Sequence, residues 1–148
     1  MTDPRNPRKA CADYVDSIPA NLLTKTKIKL NVTSYAGLTD VQKSKARMFY
    51  WFFEAQNYIP HSDDNPTEQL SQKEIPLLIW LSGGPGASSS VGLMMENGPY
   101  LMQNDALGQV VENPHAWNRE AHILYIDSPV GCGYSYSLAE DEDQRYAH

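Results

Sequence analysis

Five stretches of the chain show the apolar patterns of regular secondary structure. Residues 27–32 alternate polar and apolar side chains, which is typical of a half-buried strand. Residues 48–54 form a dense aromatic run that predicts a strand with its rings in the core. Residues 75–81 and 122–127 are short apolar runs typical of buried strands, and the first of them is predicted to be central. Residues 91–96 predict a short helix.

A glycine-rich loop joins the apolar run at residues 75–81 to the predicted helix. This glycine loop, residues 82–86, reads Ser-Gly-Gly-Pro-Gly. Glycine has no Cβ, so a reacting group can approach the main chain of Gly83 or Gly84 closely, and both can adopt positive φ. A phosphate-binding loop needs Lys and then Ser or Thr after its last glycine, but Ala87 and Ser88 stand there. The remaining interpretations are an oxyanion-hole loop and a plain glycine turn.

Five blocks of sequence follow one another along the last two-thirds of the chain. They are residues 48–54 (MFYWFFE), 76–86 (PLLIWLSGGPG), 96–100 (ENGPY), 112–118 (ENPHAWN) and 127–137 (DSPVGCGYSYS). In this order and at these spacings they resemble the serine carboxypeptidase family. The resemblance implies an α/β-hydrolase fold, of which residues 21–148 would be the N-terminal part. That part would contribute to a central mixed sheet flanked by helices, preceded by an irregular segment at residues 1–20.

The resemblance also implies a reaction and a set of site residues. The reaction is removal of C-terminal residues from peptides or proteins through an acyl-enzyme made by a Ser-Asp-His triad. Gly83 and Gly84 would form the oxyanion hole, where losing one donor costs on the order of 3 kcal/mol. Ser82 would help to bind the substrate carboxylate, although the family commonly has Asn at this position. Glu96 matches a glutamate of the carboxylate-binding network, where neighbouring carboxyl groups share a proton at acidic pH.

We expect none of the triad in these residues and no activity from the 148-residue chain alone. No G-x-S-x-G-type elbow is present. Residues 34–37 read like the family's Ser-Tyr-Ala-Gly, but they precede the glycine loop, whereas the nucleophile should follow it. We expect them to form a turn. Asp127 lies at a predicted strand end, where we expect it to cap the turn at Ser128 and Pro129.

Two further functions stay open beside the carboxypeptidase. Acyl transfer on the same scaffold needs no peptide carboxylate site, so the serine at position 82 is compatible with it. A truncated remnant without catalytic activity is compatible with the missing triad. An in-frame nucleophile elbow encoded beyond His148 would favour the enzymes over the remnant.

The composition limits the partners and cofactors that we expect. The chain is 41% hydrophobic and 20% charged, and no apolar stretch approaches the length of a membrane span, so we expect no membrane insertion. Its lysines are scattered without aromatic interleaving, which argues against a nucleic-acid partner. The four histidines show no metal-ligand spacing, so we expect no metal and no cofactor; they are His61, His115, His122 and His148. The oligomeric state stays open.

Features of the sequence point to different compartments. Cys11 and Cys132 are too few to define a disulfide framework, and their pairing stays open. Asn31 begins an Asn-Val-Thr sequon and is a predicted glycosylation site. The first residues show no signal peptide. The resemblance nevertheless implies the secretory pathway, with a lysosome, a vacuole or the exterior as destination.

Overall fold

The computed structural model describes residues 32–41, 45–58, 75–103 and 110–138. Seven strands, one α-helix and one 3-10 helix lie within these residues: β1 (Ser34–Asp40), β2 (Ala46–Phe53), β3 (Leu77–Trp80), α1 (Ser89–Met95), β4 (Tyr100–Met102), β5 (Val110–Glu112), the 3-10 helix (Trp117–Arg119), β6 (His122–Ile126) and β7 (Tyr136–Ser137). The segment 1–20, nearly all of the predicted strand at 27–32, Cys11, Asn31, His61 and His148 lie outside the described residues. No helix in the described ranges combines the length and apolar character needed to cross a membrane.

The strands build a mixed sheet. Its order is β1-β2-β6-β3, with β7 pairing to β2. β2 is antiparallel to both β1 and β6, whereas β3 and β6 are parallel. Parallel strands need a crossover, and the chain between β3 and β6 contains α1 and the β4-β5 hairpin. The strands predicted at 48–54, 75–81 and 122–127 and the helix predicted at 91–96 are therefore confirmed, with shifts of a few residues at their ends.

The core lies between one face of this sheet and α1. Phe53 pairs with Ile123 across β2 and β6, so their side chains share that face with Tyr125. Leu93 of α1 packs against them and is fully buried. The rings of Phe53 and Tyr125 meet edge to face at a centroid distance of 6.0 Å. The aromatic run of β2 thus contributes to the core, as its pattern predicts.

β3 lies at the edge of the described sheet, where β6 is its partner, and the core packs on the face of Trp80. Leu77 and Ile79 are 55% and 60% exposed. The buried, central position predicted for residues 75–81 needs a further strand beside β3 and stays a prediction. One prediction about local structure is wrong. Residues 34–37 are predicted to be a turn, but they form the first half of β1. Each of them pairs with a residue of β2, from Ser34 with Phe53 to Gly37 with Tyr50.

Candidate functional site

The glycine loop leaves the C-terminal end of β3 and leads into α1. Gly84 has φ 146° and Gly86 has φ 104°, backbone conformations that residues with a Cβ rarely adopt. The loop is exposed from Gly83 to Gly86. Within the described residues, the amide N–H groups of Gly83 and Gly84 donate no hydrogen bond. The loop can therefore offer main-chain donors to an anion, which is the property that an oxyanion hole requires.

The start of α1 is held by a buried carboxylate on the end of β6. The Oδ1 atom of Asp127 accepts from the Ser88 hydroxyl at 2.7 Å and from the Ser89 N–H at 2.8 Å. Its Oδ2 atom accepts from the Tyr134 N–H at 2.9 Å. Asp127 therefore caps α1 and the 133–134 turn, and its predicted capping of the turn at 128–129 is wrong. Both oxygens of the Asp127 carboxylate therefore accept hydrogen bonds that hold the fold together.

Ser82 forms hydrogen bonds through its backbone N–H and through its hydroxyl oxygen. Its N–H donates to the Ser89 hydroxyl at 3.1 Å, and its own hydroxyl oxygen accepts from Nε1 of Trp80 at 3.2 Å. A hydroxyl that accepts from the indole still keeps its proton to donate elsewhere. Ser82 can therefore donate one hydrogen bond to a substrate carboxylate.

Trp80 fits closely between Ser82 and α1. A Cβ at Gly92 would overlap its indole nitrogen, so the absence of a side chain at Gly92 lets α1 approach the ring. The ring also meets Trp117 at a centroid distance of 5.5 Å in a T-shaped contact. The Trp117 N–H donates to the Asn97 carbonyl at 3.0 Å. Trp80 and Trp117 thus connect the glycine loop to the residue that follows Glu96.

Glu96 lies at the other end of α1. It is the C-cap residue, its N–H donates to the Gly92 carbonyl at 3.0 Å, and the residue is exposed. The helix contains 7 residues, which at 1.5 Å per residue separates its ends by about 10 Å. The structure therefore brings Ser82, Gly83 and Gly84 together in the loop before α1 and places Glu96 at the C-terminal end of that short helix.

The backbone of residues 96–99 is held at every carbonyl. Asn113 is buried, and its Nδ2 donates to the carbonyls of Glu96 at 3.3 Å and Gly98 at 2.8 Å. The Asn113 N–H donates to the Pro99 carbonyl at 2.8 Å, and the remaining carbonyl accepts from Trp117. Sequence reasoning did not single out Asn113 or Trp80, although both lie in blocks that carry the family resemblance.

Burial and nearby charge raise the pKa of three groups around these residues. Burial, followed by the negative charge of Glu112, raises the pKa of Tyr100 to about 12. Burial, followed by the negative charge of Glu96, also raises the pKa of Tyr125. Burial and then Asp127 raise the pKa of the Cys132 thiol, which is buried and forms no disulfide within the described residues. A raised thiol pKa disfavours the thiolate, which is the nucleophilic form of cysteine.

Comparison with known proteins agrees with the sequence blocks. Residues 24–148 match the model of the serine carboxypeptidase family. Carboxypeptidase Y homolog A of Leptosphaeria maculans is 40% identical over 109 residues, which cover 74% of this chain and 17% of that protein. Two proteins of Arabidopsis thaliana also match. Serine carboxypeptidase-like 31 is 45% identical over 113 residues (75% of this chain, 20% of that protein), and putative serine carboxypeptidase-like 30 is 41% identical over 128 residues (85% and 22%).

The match is extensive for this chain and partial for its relatives. The chain spans about one fifth of the length of these curated relatives. The family model, in contrast, extends over most of the 148 residues. The chain belongs to the serine carboxypeptidase family.

Proposed function

We propose that this chain supplies the oxyanion loop and part of the carboxylate-binding site of a serine carboxypeptidase. The enzyme would remove C-terminal residues from peptides through an acyl-enzyme, and its triad would come from residues other than these 148. Residues 21–148 would belong to an α/β-hydrolase domain. The observation that carries the proposal is the exposed pair of N–H groups at Gly83 and Gly84, which donate to no other described residue and lie between a strand end and a helix start.

The proposed oxyanion hole and the proposed carboxylate site both use residues that flank α1. The N–H of Gly84, in a loop shaped by Gly83, would donate to the oxygen that becomes negative when the acyl carbon turns tetrahedral. A donor of this kind contributes on the order of 3 kcal/mol to the transition state. The Ser82 hydroxyl would donate to the substrate's C-terminal carboxylate. Glu96 would belong to the same carboxylate network, in which two close carboxyl groups share one proton at acidic pH.

The setting of the enzyme follows from the family. We propose that the protein passes through the secretory pathway to a lysosome, a vacuole or the exterior, and that Asn31 is glycosylated. Peptide or protein C-termini are the proposed substrates. Treatment of protein secreted by a eukaryotic host with an N-glycosidase tests the sequon: a mass decrease is expected, and the same preparation of Asn31→Gln should show none.

Binding of a product-like ligand tests the carboxylate site. N-acetyl-L-phenylalanine has a free carboxylate, and its amide differs only there. At acidic pH, we expect the acid to shift the backbone NMR signals of Ser82 and Glu96 at lower concentration than the amide does. Glu96→Ala, which removes the hydrogen-bonding group altogether, should abolish the preference for the acid. Equal affinities of acid and amide for the wild-type chain would contradict the assignment of these two residues.

Activity of the chain alone tests the assignment of the triad. We expect no hydrolysis of a blocked dipeptide, because the one serine in a family-like Ser-Tyr-Ala-Gly sequence, Ser34, is buried inside β1 and does not lie on a sharp exposed turn. Turnover above the buffer rate that a serine-directed phosphonate abolishes would contradict this expectation. Retention of that turnover in Ser34→Ala would then exclude Ser34 as its source.

A further inference from the structure

Asn97, the residue directly after Glu96, makes three hydrogen bonds. Its N–H donates to the Gly92 carbonyl at 3.1 Å, and its carbonyl accepts from Trp117. Its side-chain Oδ1 accepts from the Tyr125 hydroxyl at 2.9 Å. The side chain is only 4% exposed, and its Nδ2 has no hydrogen-bond partner among the described residues. Within the part of the chain that the structure describes, the Tyr125 hydroxyl is therefore the polar contact that orients this side chain.

Tyr125 reaches Asn97 from the second-last position of β6. It is 2% exposed, and its ring packs against Phe53 in the core. Its hydroxyl thus lies at a position that the sheet determines, because side chains in a close-packed core have little freedom to move. The N–H groups of Glu96 and Asn97 both donate to the Gly92 carbonyl, at 3.0 Å and 3.1 Å, so the two residues leave the end of α1 from the same anchor. Tyr125 of the sheet is therefore linked through Asn97 to the residue that carries the Glu96 carboxylate.

A second buried tyrosine shows what the hydroxyl of Tyr125 adds. Tyr100 is 4% exposed and belongs to the same core cluster. Its hydroxyl has no hydrogen-bond partner among the described residues. Removing the Tyr100 hydroxyl therefore breaks no hydrogen bond among the described residues. Removing the Tyr125 hydroxyl breaks the hydrogen bond that the buried Oδ1 atom of Asn97 accepts.

We propose that Tyr125 is a positioning residue for Glu96, acting through Asn97, and that it sets the selectivity of the site for a free carboxylate. This inference rests on the proposed function, because it assigns a cause to the placement of Glu96 in the carboxylate site. Tyr125 touches no substrate in this scheme. Its hydroxyl orients Asn97, and the orientation of Asn97 sets the direction in which the preceding residue leaves the end of α1.

The test compares Tyr125→Phe with Tyr100→Phe in the full 148-residue chain. The readout is the ratio of the affinities for N-acetyl-L-phenylalanine and its amide at acidic pH. We expect Y125F to lower this ratio about tenfold. A tenfold change in affinity corresponds to the net free energy of about one hydrogen bond. Y100F should keep the wild-type ratio. A merely structural role of Tyr125 would weaken acid and amide alike and leave the ratio unchanged, which would overturn the inference.

Two further variants separate the possible failures. Should Y125F not fold, a double variant with Asn97→Leu and Tyr125→Phe removes both polar partners together and leaves no buried orphan. The inference requires the low ratio to persist in this double variant, and a wild-type ratio there would contradict it. Glu96→Ala tests the proposed function itself, because alanine can neither donate to a carboxylate nor accept from one. A wild-type ratio in E96A would refute the carboxylate role of Glu96 and the inference with it, whereas loss of selectivity in E96A alone would refute only the positioning role.

Discussion

The glycine loop at residues 82–86 and the segment at residues 96–99 lie at opposite ends of α1 and use their backbone in opposite ways. In the loop, the N–H groups of Gly83 and Gly84 are exposed and make no hydrogen bond within the described residues. In the 96–99 segment every carbonyl accepts a hydrogen bond. In the proposed enzyme, the loop would use its unoccupied donors to stabilise developing charge, and the segment would hold Glu96 on a fixed backbone.

Replacing one glycine of each region with alanine should give the largest difference in the free energy of unfolding between the two regions. The Cβ of Gly98→Ala would overlap the Leu93 carbonyl oxygen, which is main chain and cannot rotate away. We expect the free energy of unfolding to fall by about 3 kcal/mol, as for overpacking of a rigid site. The Cβ of Gly83→Ala meets no atom within 4 Å. This substitution should change the free energy of unfolding by less than about 0.5 kcal/mol. Urea denaturation measures both, and equal losses would show that the loop is as tightly packed as the segment.

Alkaline pH should act on the tyrosines beside the 96–99 segment. In the unfolded chain they lose their protons near their ordinary pKa of about 10. Burial and the charge of a glutamate raise the pKa of Tyr100 to about 12 and also raise that of Tyr125. Their stabilising contribution is therefore complete below about pH 10 and is lost as the pH rises through the folded-state values.

The size of the alkaline effect can be measured with matched variants. Each tyrosine should lower the free energy of unfolding by about 1.4 kcal/mol per pH unit in this range. Urea denaturation at about pH 9 and about pH 11, on either side of the ordinary tyrosine pKa, gives the slope. The chain with both Tyr100→Phe and Tyr125→Phe should show a flatter slope. An unchanged slope would mean that neither hydroxyl keeps its proton on folding.

Truncation of Asn113 should loosen the 96–99 segment directly. Asn113→Ala removes the Nδ2 donor to the carbonyls of Glu96 and Gly98, and it also removes the Oδ1 acceptor of the His115 N–H. Unpaired buried groups of this kind should cost about 2 kcal/mol in unfolding free energy. Asn57→Ala, at an exposed position, is the matched control and should be nearly neutral. Faster amide hydrogen exchange at residues 96–99 should accompany the loss in Asn113→Ala only.

The smallest expected effect lies in the glycine loop. In Ser82→Asn the amide oxygen can take over the hydrogen bond from Trp80 Nε1, while the amide N–H group donates to a carboxylate. One charge-assisted hydrogen bond should tighten binding of N-acetyl-L-phenylalanine about tenfold relative to its amide. An equal change for acid and amide would remove Ser82 from the carboxylate site. That result would favour the acyl-transfer alternative, which needs no such site.

Local signals allowed much of this structure to be predicted. The aromatic run predicts β2, the apolar runs predict β3 and β6, and the glycines predict the loop before α1. Each of these features depends on neighbours within a few residues, because periodicity and glycine conformational freedom are short-range properties. The five ordered blocks likewise identified the family that the comparisons confirm.

Long-range pairing decided the remaining features. The exposure of Leu77 and Ile79 depends on which strands pair with β3, and the strand at residues 34–37 depends on pairing with β2.

The sequence by itself therefore determined the family, the order of these elements and the residues that could carry the chemistry. Only the tertiary structure decided that Asp127 caps α1 across 38 residues of sequence, that Asn113 holds Glu96 across 17, and that Tyr125 reaches Asn97 across 28. A buried polar group must find a partner wherever the fold provides one. No local pattern specifies that partner, because the hydrogen bond joins residues that only the packed sheet and helix bring together.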